Sequence, residues 1–260
     1  MVDIHCHILP GLDDGADTLE TSIQMAEMAI ADGVTHVVGT PHANAQHNFD
    51  PERIRQLRND LQSAVGDRLT LATGCDFHLS YENLQDLQKD PHKYTINQKN
   101  YLLVEFADFA IPQSMDDTLH QLQLAGLSPI ITHPERNGLL RAQPGRMYRW
   151  LHQGCYAQIT ALSILGRFGS AAQNRAEEWL DADRIHFVAS DAHNLNSRPL
   201  QLRAAYDKVA ERRGEAVAQA LFQDNPLAAF EGRSLPYEPE QTDPSVKPPQ
   251  YRRRKRFIFF

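Results

Sequence analysis

Seven short apolar runs punctuate the chain: VDIH (2–5), VTHVVGT (34–40), LTLATGC (69–75), YLLVEF (101–106), SPIIT (128–132), CYAQIT (155–160) and RIHFVAS (184–190). They are nearly continuous rather than alternating, which is the pattern of strands buried on both faces. Between them, apolar positions fall at helical spacing. Leu19, Ile23, Ala26 and Ile30 mark one helical face, with Gly33 as its stop. Asp50-Pro51 supplies a cap and a first-turn proline for a helix with the stripe Ile54, Leu57, Leu61 and Val65. Ser114 is the expected cap of a helix holding Leu119 and Leu122 and ending at Gly126, and Leu202, Tyr206 and Val209 predict another after Pro199. Strands alternating with helices predict parallel pairing through right-handed crossovers. Seven such units predict an α/β fold, a barrel of seven strands, with an open doubly wound sheet as the competing architecture. From about Gly232 the pattern stops. Prolines 236, 239, 244, 248 and 249 precede the basic and aromatic RRRKRFIFF, so residues 1–231 are expected to form one folded unit and 232–260 a tail outside it.

Composition narrows the class. A chain of 260 residues, 42% hydrophobic, suits one large βα domain. No run approaches the roughly 18 apolar residues of a membrane span. The N-terminus lacks a basic segment followed by an apolar one, so a cytoplasmic protein without a secretory leader is expected. Cys6, Cys75 and Cys155 do not suggest a disulfide framework, in keeping with a reducing compartment. The net charge of −7 argues against nucleic acid as a partner.

The polar residues that interrupt the pattern carry the chemistry. His5, His7, His42, Asp76, Glu105, His133, Asp191 and His193 each close or follow an apolar run. In a βα barrel those positions converge on the rim where active sites lie. HxH at a strand end puts both imidazoles on one side of the pleat and Cys6 on the other, as a core residue. DDG adds Asp13 and Asp14, either able to reach the same rim. One histidine at a strand end is usually structural, and that reading suits His36, His120, His152 and His186, which lie inside runs or helices. It suits the rim set poorly. Carboxylates gathered in a buried place are costly unless cations pair with them. Imidazole and carboxylate donors without thiolate suit Mn, Fe or Zn. With Asp14, Asp76, Glu105 and Asp191 ionised, three divalent ions and one hydroxide leave a centre of about +1, attractive to a phosphate dianion.

Together HCH (5–7), DDG (13–15), PH (41–42), HPER (133–136) and SDAHN (190–194) resemble the polymerase and histidinol phosphatase (PHP) superfamily, and most of all its bacterial CpsB/CapC capsule-type tyrosine phosphatases. The resemblance covers residues 1 to about 231. It implies a PHP-type distorted (β/α)7 barrel holding three metal ions, manganese foremost, at the C-terminal ends of the strands. It assigns one ion to His5, His7, Asp76 and Asp191, a second to Asp76, Glu105 and His133, and a third to Asp14, His42 and His193. The resemblance also implies a phosphotyrosine protein as substrate, the tail of a bacterial tyrosine kinase, in the control of exopolysaccharide synthesis. One position departs: relatives carry Glu where this chain has Asp76, which bears on ion spacing.

The expected reaction is phosphomonoester hydrolysis by a metal-bound hydroxide, with Arg136 and Arg198, just past two ligand motifs, clamping the phosphate by two-pronged hydrogen bonds. A phenol, with a pKa of about 10, leaves without a strong acid. The cysteine mechanism needs an arginine six residues after its nucleophile, but Cys6, Cys75 and Cys155 are followed there by Leu12, Tyr81 and Ala161. Two alternatives are a phosphatase for a small ester such as histidinol phosphate, and a non-catalytic regulator that keeps the fold. The tail, with five cations beside four apolar residues, reads either as a solvated terminus or as a segment that docks on a membrane face or an acidic partner.

Overall fold

The computed structural model describes residues 1–239. Each of the seven apolar runs becomes one stave of a parallel barrel. Two of them are broken, so the described residues hold nine strands: β1 (Val2–Cys6), β2 (His36–Gly39), β3 (His42–Ala43), β4 (Thr70–Thr73), β5 (Asp76–His78), β6 (Tyr101–Glu105), β7 (Ser128–Thr132), β8 (Tyr156–Thr160) and β9 (Phe187–Ala189). β2 and β3 are one stave interrupted at Thr40-Pro41, where proline has no N–H to give the ladder. β4 and β5 are the next, interrupted at Gly74-Cys75. The breaks align, because β2 pairs with β4 and β3 with β5. The ring then runs β5-β6-β7-β8-β9. It closes on β1 through a Cys6–Ala192 bridge, with the Asp191 N–H donating to His5 O at 2.8 Å and the His7 N–H to Ala192 O at 2.9 Å. Closure excludes the open sheet.

Alternation within the strands divides the buried side chains into two bodies. Tyr101 and Leu103 of β6 join Val2, Ile4, Val38, Ile130, Phe187 and Ala189 inside the barrel. Leu102 and Val104 face outward and pack with the helices. Glu105, two residues past Leu103, continues the inward face into the C-terminal mouth. The barrel is therefore apolar below and polar above. β1 reaches this arrangement through an irregularity in its pairing between Asp3 and Cys6. Such a bulge reverses which face successive side chains present. Ile4 packs in the interior below, and His5 and His7 then turn to the mouth.

The helices confirm most expectations and correct two. Asp50 accepts from the N–H groups of Glu52 and Arg53 and starts Pro51–Val65, which buries Ile54, Leu61 and Val65. In Leu19–Ala31 the buried face is Ser22, Met25, Ala26 and Ala29, while Leu19 is exposed. The helix turns Ser22, Met25, Ala26 and Ala29 inward, packs beside helix Pro51–Val65, and leaves Ile23 and Ile30 on the flank. Ser114 precedes Met115–Leu124 but makes no side-chain cap.

The chain past Gly232 does not leave the barrel at once. Leu235 is buried with Ala228 and Ala229 against the apolar interior. The Tyr237 N–H donates to Asn225 Oδ1 at 3.1 Å, Asn225 Nδ2 donates to Tyr237 O at 2.7 Å, and the Tyr101 hydroxyl donates to Arg233 O at 2.8 Å. The expected boundary at Gly232 thus falls before a segment that plugs the barrel floor as far as Pro239. The basic and aromatic end of the tail lies outside the described residues.

Candidate metal centre

All nine expected ligands meet in the mouth. His5 Nε2 stands 3.4 Å from Asp76 Oδ2 and 3.5 Å from Asp191 Oδ1, and His7 Nε2 is 3.5 Å from the same Asp191 atom. His42 Nδ1 lies 3.4 Å from Asp76 Oδ2 and 3.5 Å from Glu105 Oε2. His133 Nε2 is 3.7 Å from Glu105 and 3.9 Å from Asp76. On the outer side, Asp14 Oδ1 is 3.4 Å from both His42 Nε2 and His193 Nε2. Three overlapping groups have ligand atoms within 4.8 Å of one another: His5, His7 and Asp76; His42, Asp76 and Glu105; and His7, Asp14, His42 and His193. This division differs from the expected one, since His7 and His42 each stand in two groups while His133 and Asp191 stand in none. Asp76 is shared by two, so its short side chain bears on two ion positions at once.

The donor set fits divalent cations on its own geometry. Asp76 Oδ2 and His42 Nδ1 are buried without a hydrogen-bond partner, though they face each other. Atoms so placed are costly unless a cation lies between them. The outward ring nitrogens are tied down: His5 Nδ1 bonds Gln158 Oε1 at 2.9 Å, His7 Nδ1 bonds Asp13 Oδ2 at 2.7 Å, and His193 Nδ1 bonds Asp191 O at 3.0 Å. Each bond fixes the ring so that Nε2 faces the mouth, as partners behind metal-bound histidines do. This separates the two aspartates of DDG. Asp14 is 60% exposed and faces the ligand rings, whereas Asp13, 1% exposed, works behind His7.

Electrostatics keep Asp191, Asp76 and Asp13 ionised. Burial raises the Asp191 carboxyl, but His5, His7, Arg136 and Arg198 hold it well below the usual carboxylate range. Burial likewise opposes ionisation of Asp76, and His5, His133 and His42 overcome it. For Asp13, burial is outweighed by His7 and the backbone N–H groups of His42 and Gly15, giving about 2. The same charges act on the imidazoles. Burial lowers His5 and His7, but Asp76 and Asp191 for the first, and Asp13 and Asp191 for the second, bring both to about 9.

The backbone is bent to the purpose. His133 and Asp191 have φ of +32° and +51°, a region that costs an L-residue roughly 1–3 kcal/mol. Both stand where a strand gives way to its loop, and the bend turns the side chain across the mouth. Glu135 fixes the turn after His133 by accepting from the Thr160 N–H at 3.0 Å and the Ser163 hydroxyl at 2.6 Å. Gly15 is required by close approach, since a Cβ there would meet His7 O at 2.2 Å. Arg136 Nη1 and Arg198 Nη2 both bond Asp191 Oδ2, the latter at 2.5 Å. A cavity of about 240 Å³ opens beside them, lined by Glu105, Phe106, His133, Arg136 and Phe168 among others.

The histidines read as structural stay away. His186 is buried below, its Nδ1 accepting from the Ala157 N–H at 3.2 Å, and burial depresses it to about 3. His36 bonds Thr35 Oγ1 at 2.9 Å, His152 stacks on Tyr148, and His120 is exposed. The three cysteines are buried and free. Sequence reasoning missed Gln158, although one amide inside the apolar run CYAQIT is a visible signal.

The family model for capsular polysaccharide synthesis, CpsB/CapC, matches residues 1–231. The tyrosine-protein phosphatase YwqE of Bacillus subtilis is 33% identical over 264 residues, covering 100% of both chains. The tyrosine-protein phosphatase CpsB of Streptococcus pneumoniae is 32% identical over 236 residues, 87% of this chain and 96% of that one. A crystal structure from work on YwqE and CpsB, described as metal-dependent tyrosine phosphatases, superposes with a TM-score of 0.85 at 31% identity, covering 94% of this chain and 100% of that one. A lactonase from Listeria monocytogenes shares the fold alone, with a TM-score of 0.57 at 13% identity. The chain belongs to the CpsB/CapC family.

Proposed function

We propose that this chain is a metal-dependent protein-tyrosine phosphatase that acts in capsular or exopolysaccharide synthesis. The observation that carries the reading is a cluster of seven imidazoles and carboxylates, with Asp191 and His133 adjoining it, beside two arginines, in a chain whose relatives at about a third identity are named tyrosine-protein phosphatases. Three divalent ions, manganese foremost with iron or zinc as alternatives, would be held by His5, His7, Asp14, His42, Asp76, Glu105, His133, Asp191 and His193. When bound, such ions supply a nucleophile from water at neutral pH and positive charge for the phosphoryl oxygens.

The chain's own residues do the rest. Asp13 and Gln158 orient the imidazoles. Asp191 gathers the Arg136 and Arg198 guanidiniums at one edge of the centre, where their forks match two oxygens of a phosphate. A phenol, with a pKa of about 10, leaves without a strong general acid, so an aryl ester suits a metal-held hydroxide better than an alkyl ester. The substrate would be a phosphotyrosine protein, and the tail of a bacterial tyrosine kinase is the proposed partner in the cytoplasm. No helix among the described residues is long and apolar enough to cross a membrane.

The test is elemental analysis of the purified protein with turnover of a phosphotyrosyl peptide against histidinol phosphate. Chelation should abolish peptide hydrolysis and manganese should restore it. Preference for histidinol phosphate would move the reading to the small-ester class, and full activity after metal stripping would remove the metal mechanism.

A further inference from the structure

Phe168 stands out because both arginines use it. The Arg136 guanidinium carbon lies 4.3 Å from its ring centroid and that of Arg198 lies 5.9 Å away. Cations at such distances over a ring face are attracted by its quadrupole. The same side chain lines the cavity that runs beside Glu105 and His133, with Phe106, Leu140 and Ala172 among the other walls. Its place is set by a tight turn. Gly166 and Gly169 have φ of +79° and +85°, with the Gly169 N–H donating to Gly166 O at 3.1 Å and the Arg167 N–H to Leu162 O at 2.9 Å. Phe168 sits between these glycines at the start of helix Gly169–Asp181, so its ring is presented by a rigid corner and not by a long loop.

We propose that Phe168 is a specificity-determining residue: its ring seats the two arginines and walls an aryl subsite that takes the phenyl ring of the substrate. The inference rests on the phosphatase reading above and deepens it. A cavity of about 240 Å³ next to the ligand cluster has room for one ring. Its lining sets the apolar Phe106, Leu140, Phe168 and Ala172 beside the Arg136 guanidinium, which matches a phenyl phosphate, apolar at one end and anionic at the other. Alkyl esters would leave that wall without a partner.

The test uses binding of two non-hydrolysable probes, phenylphosphonate and methylphosphonate, to the metal-loaded full chain by calorimetry, with metal content measured in each variant. The unaltered protein should bind the phenyl compound more tightly. Phe168→Ala should weaken phenylphosphonate about tenfold, some 1.4 kcal/mol, and methylphosphonate less, with metal content unchanged. Phe168→Leu keeps apolar bulk without the ring face and should recover only part of the loss, whereas Phe168→Tyr should recover nearly all. Equal affinities for the two probes in the unaltered protein, or affinities unchanged in Phe168→Ala and Phe168→Leu, would overturn the subsite. Failure of the phosphatase reading is separately visible, as selective phenylphosphonate binding by a protein that hydrolyses no aryl phosphate.

Discussion

At the scale of single residues the centre is governed by competition between protons and cations. His5 and His7 hold protons in the fold up to about pH 9, above the 6.5 of a free imidazole. Their ion pairs therefore support the metal-free fold fully below 6.5, and that support is lost as pH rises through about 9. Metal affinity has the opposite sign, because a cation must displace those protons. Below pH 9, binding of manganese should release protons, measurable by calorimetry in buffers of different ionisation enthalpy, and affinity should climb between pH 6 and 9. A pH-independent affinity would contradict this arrangement. The arginines act later. Arg136→Ala and Arg198→Ala should each lower kcat/KM on an aryl phosphate about tenfold to a hundredfold, the worth of one charged hydrogen-bond partner, with metal content near normal. Unchanged kinetics in both variants would take the clamp out of the mechanism.

At the scale of elements, the sequence was legible where polar residues broke an apolar pattern and opaque where backbone geometry decided the outcome. HCH, HPER and SDAHN could be placed on one rim because strand ends in a barrel have one destination. Nothing in VDIHC announces the irregularity that turns His5 and His7 to the mouth. Nor do residue types reveal that His133 and Asp191 take positive φ, since neither is glycine. The face of helix Leu19–Ala31 was misread because hydrophobicity favours isoleucine, whereas the buried side also carries alanine and serine, small enough for close packing. DDG could not be divided until Asp13 was seen behind His7. The loop that carries it gives a sharp test. Gly15→Ala puts a methyl where His7 O lies 2.2 Å away, and something must move. The substitution should lower metal affinity by at least about tenfold, as loss of a partner behind a ligand does, while circular dichroism shows the barrel retained. Normal affinity would mean that the turn is looser than its contacts imply.

At the scale of the whole molecule the barrel has two ends with separate duties, a polar mouth and an apolar floor. The floor includes Leu235 and the segment bonded to Asn225, beyond the stretch matched by the family model. Ending the chain after Glu231 should therefore lower Tm, by roughly 5–15 °C if the loss resembles truncation of one large buried side chain. Ending it after Pro239 should leave both Tm and turnover of a small aryl phosphate intact. Equal Tm values for the two would show the segment to be dispensable.

The closing contact of the ring also spans most of the chain. β1 carries His5 and ends one residue before His7, yet backbone atoms that hold both belong to Asp191 and Ala192, and the side chain behind His5 is Gln158. During synthesis the first strand has thus been made long before its second neighbour exists. Contacts so distant in sequence are formed slowly, after the entropy of closing a large loop has been lost. The first and last staves meet only when nearly all of the barrel is in place, so an incomplete chain cannot assemble the full ligand set. A cation that binds the closed ring alone will bias the chain toward completion, and the supply of metal then acts on the yield of folded protein as well as on its chemistry.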